Sequence, residues 1–501
     1  MPKRAIGLCT LALFALLGSA IFIDHGQAQK SSSTFSPAIP KTWDEEELAA
    51  MTLPSAKPGI HIVYVSTAYY YSIPVPPIYK SYPVYHPGKE PSGYLEWLKQ
   101  QEPEEIVFDA SKLKTEADWI KAGALLFDSQ FEFEPLTEVR DPAWYAKIGA
   151  PLTKEGILPM YRYTLRKKGT VTVSRATCAY CHTRVLPDGI MAIGAQGNFP
   201  VEGDYAYRLR RAGRLDGMRK LDASLIFPAL RKDDLNRGLY TKTADEVAAA
   251  HEAMIPGVVA RPGFSVFDMP KTADLIGVKE RKYLDLTARL QHRSIGDLMR
   301  YAAFCAGTNY FFSSTTTLPP GSLPDPASLG RFSDEQLYAL ALYIYSLRPP
   351  PNPNKFNEQT ARGQAIFQRE GCVICHTPPL YTNNKLTPAG NFQVPDEHRA
   401  KYDILDIRVG TDEQSALTNV RGRGYYKVPS LKGVWYRGPF EHNGSVATLE
   451  DWFDPKRLRD DYAPTGFKGH GVKTRAVKGH EFGLQLSVED KRALIAFLKT
   501  L

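Results

Sequence analysis

The sequence predicts a mainly α-helical chain with two related halves in tandem, an irregular N-terminal arm and a small β insertion. Three observations carry that prediction. At 501 residues the chain exceeds the usual size of one domain. A short amphipathic pattern with Gly and Phe four residues apart occurs twice, in Ile120 to Phe127 and in Ala361 to Phe367. A second pattern, Ser followed by acids and then apolar residues at helical spacing, also occurs twice, from Ser333 to Leu347 and from Ser487 to Leu501.

The elements follow in chain order. Lys3 and Arg4, the apolar stretch Ala5 to Ile23 and the small residues up to Ala28 read as a secretory leader over residues 1–28, with a retained anchor helix as the rival reading of the same run and no later run long enough to span a membrane. Residues 29–110 are rich in Pro and Tyr. Their only strand-like runs are His61 to Val65 and Tyr69 to Tyr71, and they are expected as an arm on the domain surface. Residues 111–348 form the first domain. Its insertion over 128–177 carries a predicted hairpin, Tyr161 to Leu165 and Val171 to Val173 around Lys168-Gly169. The run Arg348-Pro349-Pro350-Pro351-Asn352-Pro353 stops the closing helix, so 349–356 is the linker and 357–501 the second domain.

Each half contains one five-residue string that fixes its chemistry: Cys178-Ala179-Tyr180-Cys181-His182 and Cys372-Val373-Ile374-Cys375-His376. Two thiols at this spacing add to the vinyl groups of a haem, and the next histidine becomes the proximal iron ligand. Random placement gives roughly 0.002 such strings per chain of this composition. Two covalently bound haem c groups are therefore expected, and export agrees with their attachment outside the bacterial cytoplasm, in a periplasmic or secreted protein. Of six cysteines, Cys9 leaves with the leader and four bind haem. Cys305 remains, expected as a buried, inert thiol in an apolar helix.

The formal charge is +8. Loss of the leader and addition of four haem propionates bring it to about +3, a modest balance that does not call for a polyanionic partner. No basic stripe with interleaved aromatics occurs, so nucleic-acid binding is excluded from the reading.

The second half carries Pro429-Ser430-Leu431-Lys432-Gly433-Val434, then Gly438-Pro439-Phe440-Glu441-His442-Asn443-Gly444-Ser445, then Thr448-Leu449. A looser counterpart, Leu275 to Val278 followed by His292-Arg293, lies in the first half. With the two haem strings, these segments resemble the bacterial di-haem superfamily of cytochrome c peroxidases, the methylamine-utilisation di-haem oxidase and the rubber oxygenases. Gly479-His480-Glu481-Phe482-Gly483 and the 194-residue spacing of the haem motifs are most similar to the rubber-oxygenase branch. The resemblance covers about residues 111–501 and implies two cytochrome c-like domains. It also implies an oxidoreductase in which haem 1 meets dioxygen, peroxide or an organic substrate while haem 2 relays electrons to or from a small redox protein. In the peroxidases a calcium ion between the domains is common, although no carboxylate cluster here demands one. A non-enzymatic electron-transfer cytochrome is the alternative.

Carried over residue by residue, the resemblance meets departures. Where peroxidases place a removable histidine after the first haem, this chain has Asn198; Met191 is a possible ligand there, with plain core its default role. No acid occurs between Asp297 and Asp325, where peroxidases use a glutamate over the open haem. The stretch Tyr301 to Ala306 and Tyr310-Phe311-Phe312 is apolar instead, which suits dioxygen better than peroxide heterolysis. Phe304 is the candidate cover of the distal face, with His292 and Arg293 as further candidate catalytic residues. At haem 2, Lys456 stands where peroxidases have a ligating Met. His480 is the first candidate sixth ligand of that iron, then His442, whose counterpart in the peroxidases lies beside the haem without ligating, and His470.

Overall fold

The computed structural model describes residues 35–59, 62–135, 138–215, 242–259, 270–306, 312–313, 323–418 and 422–501. The expected leader and the residues Tyr310 and Phe311 lie outside the described residues. The fold is mixed helical with several small sheets, and the twice-repeated sequence pattern becomes a twice-repeated helix crossing.

The N-terminal arm opens with helix α1, Glu45–Met51, capped by the Asp44 side chain. It continues through strand β1, Ser81–Tyr85, to helix α2, Tyr94–Gln100. Helix α3, Glu116–Phe127, starts at a capping box between Thr115 and Asp118, an arrangement that contributes about 1 kcal/mol. Strands β2, Gln130–Glu134, β3, Ile157–Lys167, and β4, Thr170–Ala176, follow. The predicted hairpin is β3–β4, and both of its flanks are occupied, giving the antiparallel order β1-β3-β4-β2.

Beyond the first haem string come α4, Val201–Ala212, and α5, Ala244–Glu252, which pack on each other, and then α6, Ile295–Ala306. Helix α7, Asp334–Ser346, packs across α3. In the second half α8, Glu358–Arg369, pairs in the same way with α9, Val488–Lys499. Ser333 and Ser487 cap α7 and α9 as their sequence positions suggested.

The two crossings are the same contact made twice. Gly123 of α3 meets the carbonyl of Ala339, and Gly363 of α8 meets that of Ala493. A Cβ on either glycine would lie 2.0 Å from that oxygen and 2.7 Å from the Cβ of Tyr343 or Phe497. Only glycine fits, because the helix backbones touch there. The Phe four residues later, Phe127 or Phe367, is buried beside each crossing.

Three expectations need correction. The arm is not a surface layer: Trp43, Leu48, Met51 and Tyr70 are fully buried and share the main core with α3, α6 and α7. Tyr69 to Tyr71 are helical, in the turn Thr67–Ser72 started by the Ser66 side chain, because a local N-cap overrides the β preference of three tyrosines. Cys305 is exposed, at the C-terminal end of α6, because the apolar face of that helix is carried by Leu298, Met299, Ala302 and Ala303. Among the described residues no helix is long and apolar enough to cross a membrane.

Candidate haem sites

Both Cys-x-x-Cys-His strings close into one helical turn. The amide of His182 donates to Cys178 O at 3.0 Å and that of His376 to Cys372 O at 2.9 Å, which brings each histidine back over its first cysteine. Each imidazole is then oriented by a backbone carbonyl. Nδ1 of His182 lies 2.8 Å from Ala273 O, and Nδ1 of His376 lies 3.2 Å from Tyr381 O. A carbonyl only accepts, so both Nδ1 atoms carry the proton and both Nε2 atoms are left with a lone pair. Burial holds the His376 imidazole down at about 4, which keeps it in the neutral form a metal needs.

Opposite His376 stands His480. Their ring centroids are 6.2 Å apart. Two imidazoles on opposite sides of one metal, each bound at about 2 Å, bring their ring centres to about this separation. His480 is positioned by its own backbone: its amide donates to Val409 O at 2.6 Å and its carbonyl accepts from Arg457 Nη2 at 2.8 Å. Its ring is walled by Trp452 and Phe482 at 5.1 and 5.4 Å. Burial lowers its pKa, and its Nδ1 is buried with no hydrogen-bond partner. The flanking Gly479 serves chain packing, since a Cβ there would lie 2.3 Å from the amide of Thr411.

The cavity between these rings is lined by Cys372, Cys375, Phe440 and Leu494, apolar or thiol groups suited to a macrocycle. It extends to a group of cations, Lys271, Arg281 and Lys427, that line the same space. Burial, and then the like charge of Arg281, pushes Lys427 down to about 7; burial, and then the like charge of Arg437, pushes Lys271 down to about 8. Cations held so far from their ordinary range call for anions, and haem propionates are carboxylates of the right kind. The donor set, the unpartnered imidazole nitrogen and the cationic end therefore fit a haem c here. The signal for the two lysines was absent from the sequence, where each is one basic residue among many.

The remaining expected site residues have partners of their own. Phe304 stacks on Tyr64 at 5.7 Å and meets the edge of Trp43 at 5.4 Å, so its ring sits where the arm joins α6. His292 uses both ring nitrogens, Nδ1 on Arg281 O at 2.8 Å and Nε2 on Tyr345 Oη at 2.6 Å. Arg293 pairs with Asp297 at 2.9 Å and with Glu47 of α1 at 2.6 Å. His442 is buried between Glu441 and Asp412, at 3.1 and 3.0 Å. Burial opposes its charge, but the two carboxylates prevail and raise its pKa to about 10.

Asn198 clamps the backbone of Val185 through both amide atoms. Met191, expected in the core, is 43% exposed on a short strand paired with the one after His182, because alternation along that strand turns it outward. Lys456 is exposed. Among the described residues no cluster of three or more His, Cys, Asp or Glu side chains could hold a metal ion, calcium included.

One segment ties the two haem regions together. Ala273 O receives the His182 proton, while two residues earlier the amide of Lys271 donates to His442 O at 3.0 Å. Residues 270–274 therefore touch the proximal side of the first site and line the cavity of the second.

The segment that carried the sequence resemblance now has a counterpart among known proteins. Residues 424–462 match the RoxA-like, cytochrome c-like family. The chain is also similar to the cytochrome-c peroxidase IdrP1 of Denitromonas iodatirespirans, at 32% identity over 19% of this chain and 30% of the relative. It is similar to the cytochrome c551 peroxidase of Nitrosomonas europaea, at 27% identity over 19% and 26%, respectively. The methylamine utilization protein MauG of Methylorubrum extorquens matches at 28% identity over 28% of this chain and 33% of its own length. The matched segments thus span about a third or less of these relatives. Among solved structures, a MauG-like protein associated with microbial copper homeostasis gives a TM-score of 0.30 at 15% identity, covering 49% of this chain and 78% of that one, too low for any argument to rest on it. The resemblance to the di-haem superfamily stands on these sequence matches.

Proposed function

We propose that the chain is an exported di-haem c-type oxidoreductase with two cytochrome c-like domains in tandem, 111–348 and 357–501. In this reading haem 1, on Cys178, Cys181 and His182, meets dioxygen or peroxide. Haem 2, on Cys372, Cys375, His376 and His480, relays electrons to or from a redox partner. The pair His376 and His480 is the observation that supports it, because two imidazoles at this separation would hold a haem iron between them and leave it electron transfer alone. Haem bound at the first site would supply the open iron at which an oxidant is reduced.

The protein's own residues define the difference between the sites. No histidine follows His182 until His251, whose Nδ1 is held by Glu202 at 2.7 Å while its Nε2 is buried without a partner among the described residues. His292 and His442 are likewise engaged, and His398 lies against Tyr425 Oη at 2.9 Å. The apolar sequence after Asp297 offers no acid to move a peroxide proton, which favours dioxygen or an oxidase-type reaction. Lys271, Arg281 and Lys427 would hold propionates, and the 270–274 segment would orient His182 through Ala273 O.

Optical and EPR spectra of the oxidised holoprotein, with and without cyanide, test the reading. One iron should bind cyanide and the other should stay low-spin and unchanged. Two low-spin irons untouched by cyanide in both redox states would instead make the chain an electron-transfer cytochrome.

A further inference from the structure

The arm and the β insertion, which lie outside the segment matched by the family, contain a continuous line of aromatic rings that begins inside the first haem string. Tyr180 stands between Cys178 and Cys181 and is buried. Its ring centre is 5.8 Å from that of Tyr161 on β3. Tyr163 follows two residues along the same strand, so both rings leave one face of the sheet about 7 Å apart. Tyr163 lies 6.3 Å from Tyr94, and Tyr94 stacks at 5.8 Å on Trp97. Trp97 ends the line on α2, 44% exposed at the surface.

The four tyrosines share one core cluster with Trp144 and Tyr145, into which Cys181 also packs. The line crosses three segments far apart in sequence, and packing alone does not call for tyrosine at each step. A buried tyrosine carries a hydroxyl that must be accommodated, whereas phenylalanine would fill the same space without that cost. The structure accommodates it: Tyr161 Oη donates to Asp204 Oδ2 at 2.6 Å, and the same carboxylate accepts from Trp144 Nε1 at 3.0 Å and Arg208 Nε at 3.1 Å. Tyr163 Oη accepts from Arg140 at 3.4 Å, and Tyr94 Oη donates to Pro83 O at 3.0 Å.

We propose that Tyr180, Tyr161, Tyr163, Tyr94 and Trp97 form an electron relay by which oxidising equivalents at haem 1 reach the protein surface. The proposal rests on the assignment of haem 1 as the site that meets the oxidant. When that site holds an oxidising equivalent and no substrate is present, one electron moves inward along the line and is finally drawn from the indole of Trp97. The indole N–H proton passes to solvent, leaving a neutral tryptophanyl radical. Each tyrosine on the way loses an electron and regains it. The Tyr161 proton moves to Asp204 and returns, whereas Tyr180, Tyr163 and Tyr94 keep their protons and pass only the electron, so no net charge is left inside. An external reductant of the phenol or ascorbate class then supplies one electron and one proton to Trp97. The surface tryptophan thereby protects the buried core from oxidation and offers a reaction point to donors too bulky to enter the haem pocket.

The test uses the full-length holoprotein, hydrogen peroxide as the oxidant, freeze-quench EPR and mass-spectrometric mapping of oxidised residues. In the native protein a radical with tryptophanyl character should accumulate and oxidation should concentrate at Trp97. Trp97→Phe, at the surface, should abolish that radical. Tyr163→Phe should lower its yield several-fold without altering the haem spectrum. An unchanged radical in both variants, while the haem 1 band still responds to peroxide, would overturn the relay and leave the haem 1 assignment standing. If the haem bands do not respond to peroxide, the peroxide reading of haem 1 fails separately. The relay is then decided by a photogenerated ruthenium(III) tris-bipyridyl oxidant, which should oxidise ferrous haem 1 several-fold more slowly in Trp97→Phe; equal rates would overturn it.

Discussion

His376 and His480 face each other across an apolar cavity with ring centroids 6.2 Å apart, although 104 positions separate them in the chain. Removing one ring should be visible in the iron. His480→Ala is expected to turn the second haem high-spin and cyanide-reactive while the first is unaffected. His480→Met should keep it low-spin and raise its midpoint potential, since thioether ligation favours the reduced iron. A low-spin spectrum in His480→Ala would reassign the ligand.

The two helix crossings predict matching penalties. Gly123→Ala and Gly363→Ala each drive a methyl against a carbonyl 2.0 Å away. Each is expected to cost about 1–3 kcal/mol or more by overpacking. Urea denaturation of the holoprotein measures both, and a neutral effect at either site would show that the crossing relaxes.

Arg293 joins α6 to the arm through Asp297 and Glu47. Arg293→Ala leaves the fully buried Asp297 with Arg300 as its remaining ion-pair partner. The expected loss is about 1–3 kcal/mol of stability, with haem spectra unchanged. A selective loss of turnover at full stability would instead place Arg293 in the chemistry.

His442 gives the protein a pH signature. Its folded pKa, about 10, lies above the ordinary 6.5. Its contribution is therefore complete below pH 6.5 and is lost as pH rises through 10. Glu441 and Asp412 are held below their ordinary 4.5 and 3.8, after overcoming burial, by the same imidazole. Their contribution is present above those values and is lost as pH falls through the depressed ones. Denaturation midpoints should thus form a plateau that declines at both ends. His442→Gln should remove the alkaline decline; if the decline persists, another group carries it.

Lys427, pushed down to about 7 by burial, should regain its charge beside a propionate. Lys427→Met in the holoprotein is then expected to lower the midpoint potential of the adjacent haem, because a lost positive charge favours the oxidised iron. An unchanged potential would place the propionates elsewhere.

The parts of the fold legible in the sequence were those with a local period. Gly123 with Phe127 and Gly363 with Phe367 marked the crossing helices, and Ser333 and Ser487 marked where their partners begin. The hairpin β3–β4 was visible from alternation around Lys168-Gly169. Strand β1 was not, because Pro83 reads against a strand; it is tolerated here since β1 is the sheet edge. Trp43 and Tyr70 gave no sign that the arm enters the core, since burial against residues hundreds of positions away leaves no periodic trace. His480 stood out in the sequence between Gly479 and Gly483, whereas the carbonyl that holds His182, Ala273 O, could not be read from any side chain.

That carbonyl gives the 270–274 segment a mechanical meaning. A single residue, Thr272, separates the acceptor of the His182 proton from the amide that grips His442. A haem iron on His182 would make that imidazole a stronger or weaker acid as its charge changed, and the hydrogen bond to Ala273 would shorten or lengthen accordingly. A tether this short has little slack to absorb the change. A displacement of Ala273 would therefore pass to Lys271 and the wall of the neighbouring cavity, a mechanical link that a haem on His182 would share with the second site.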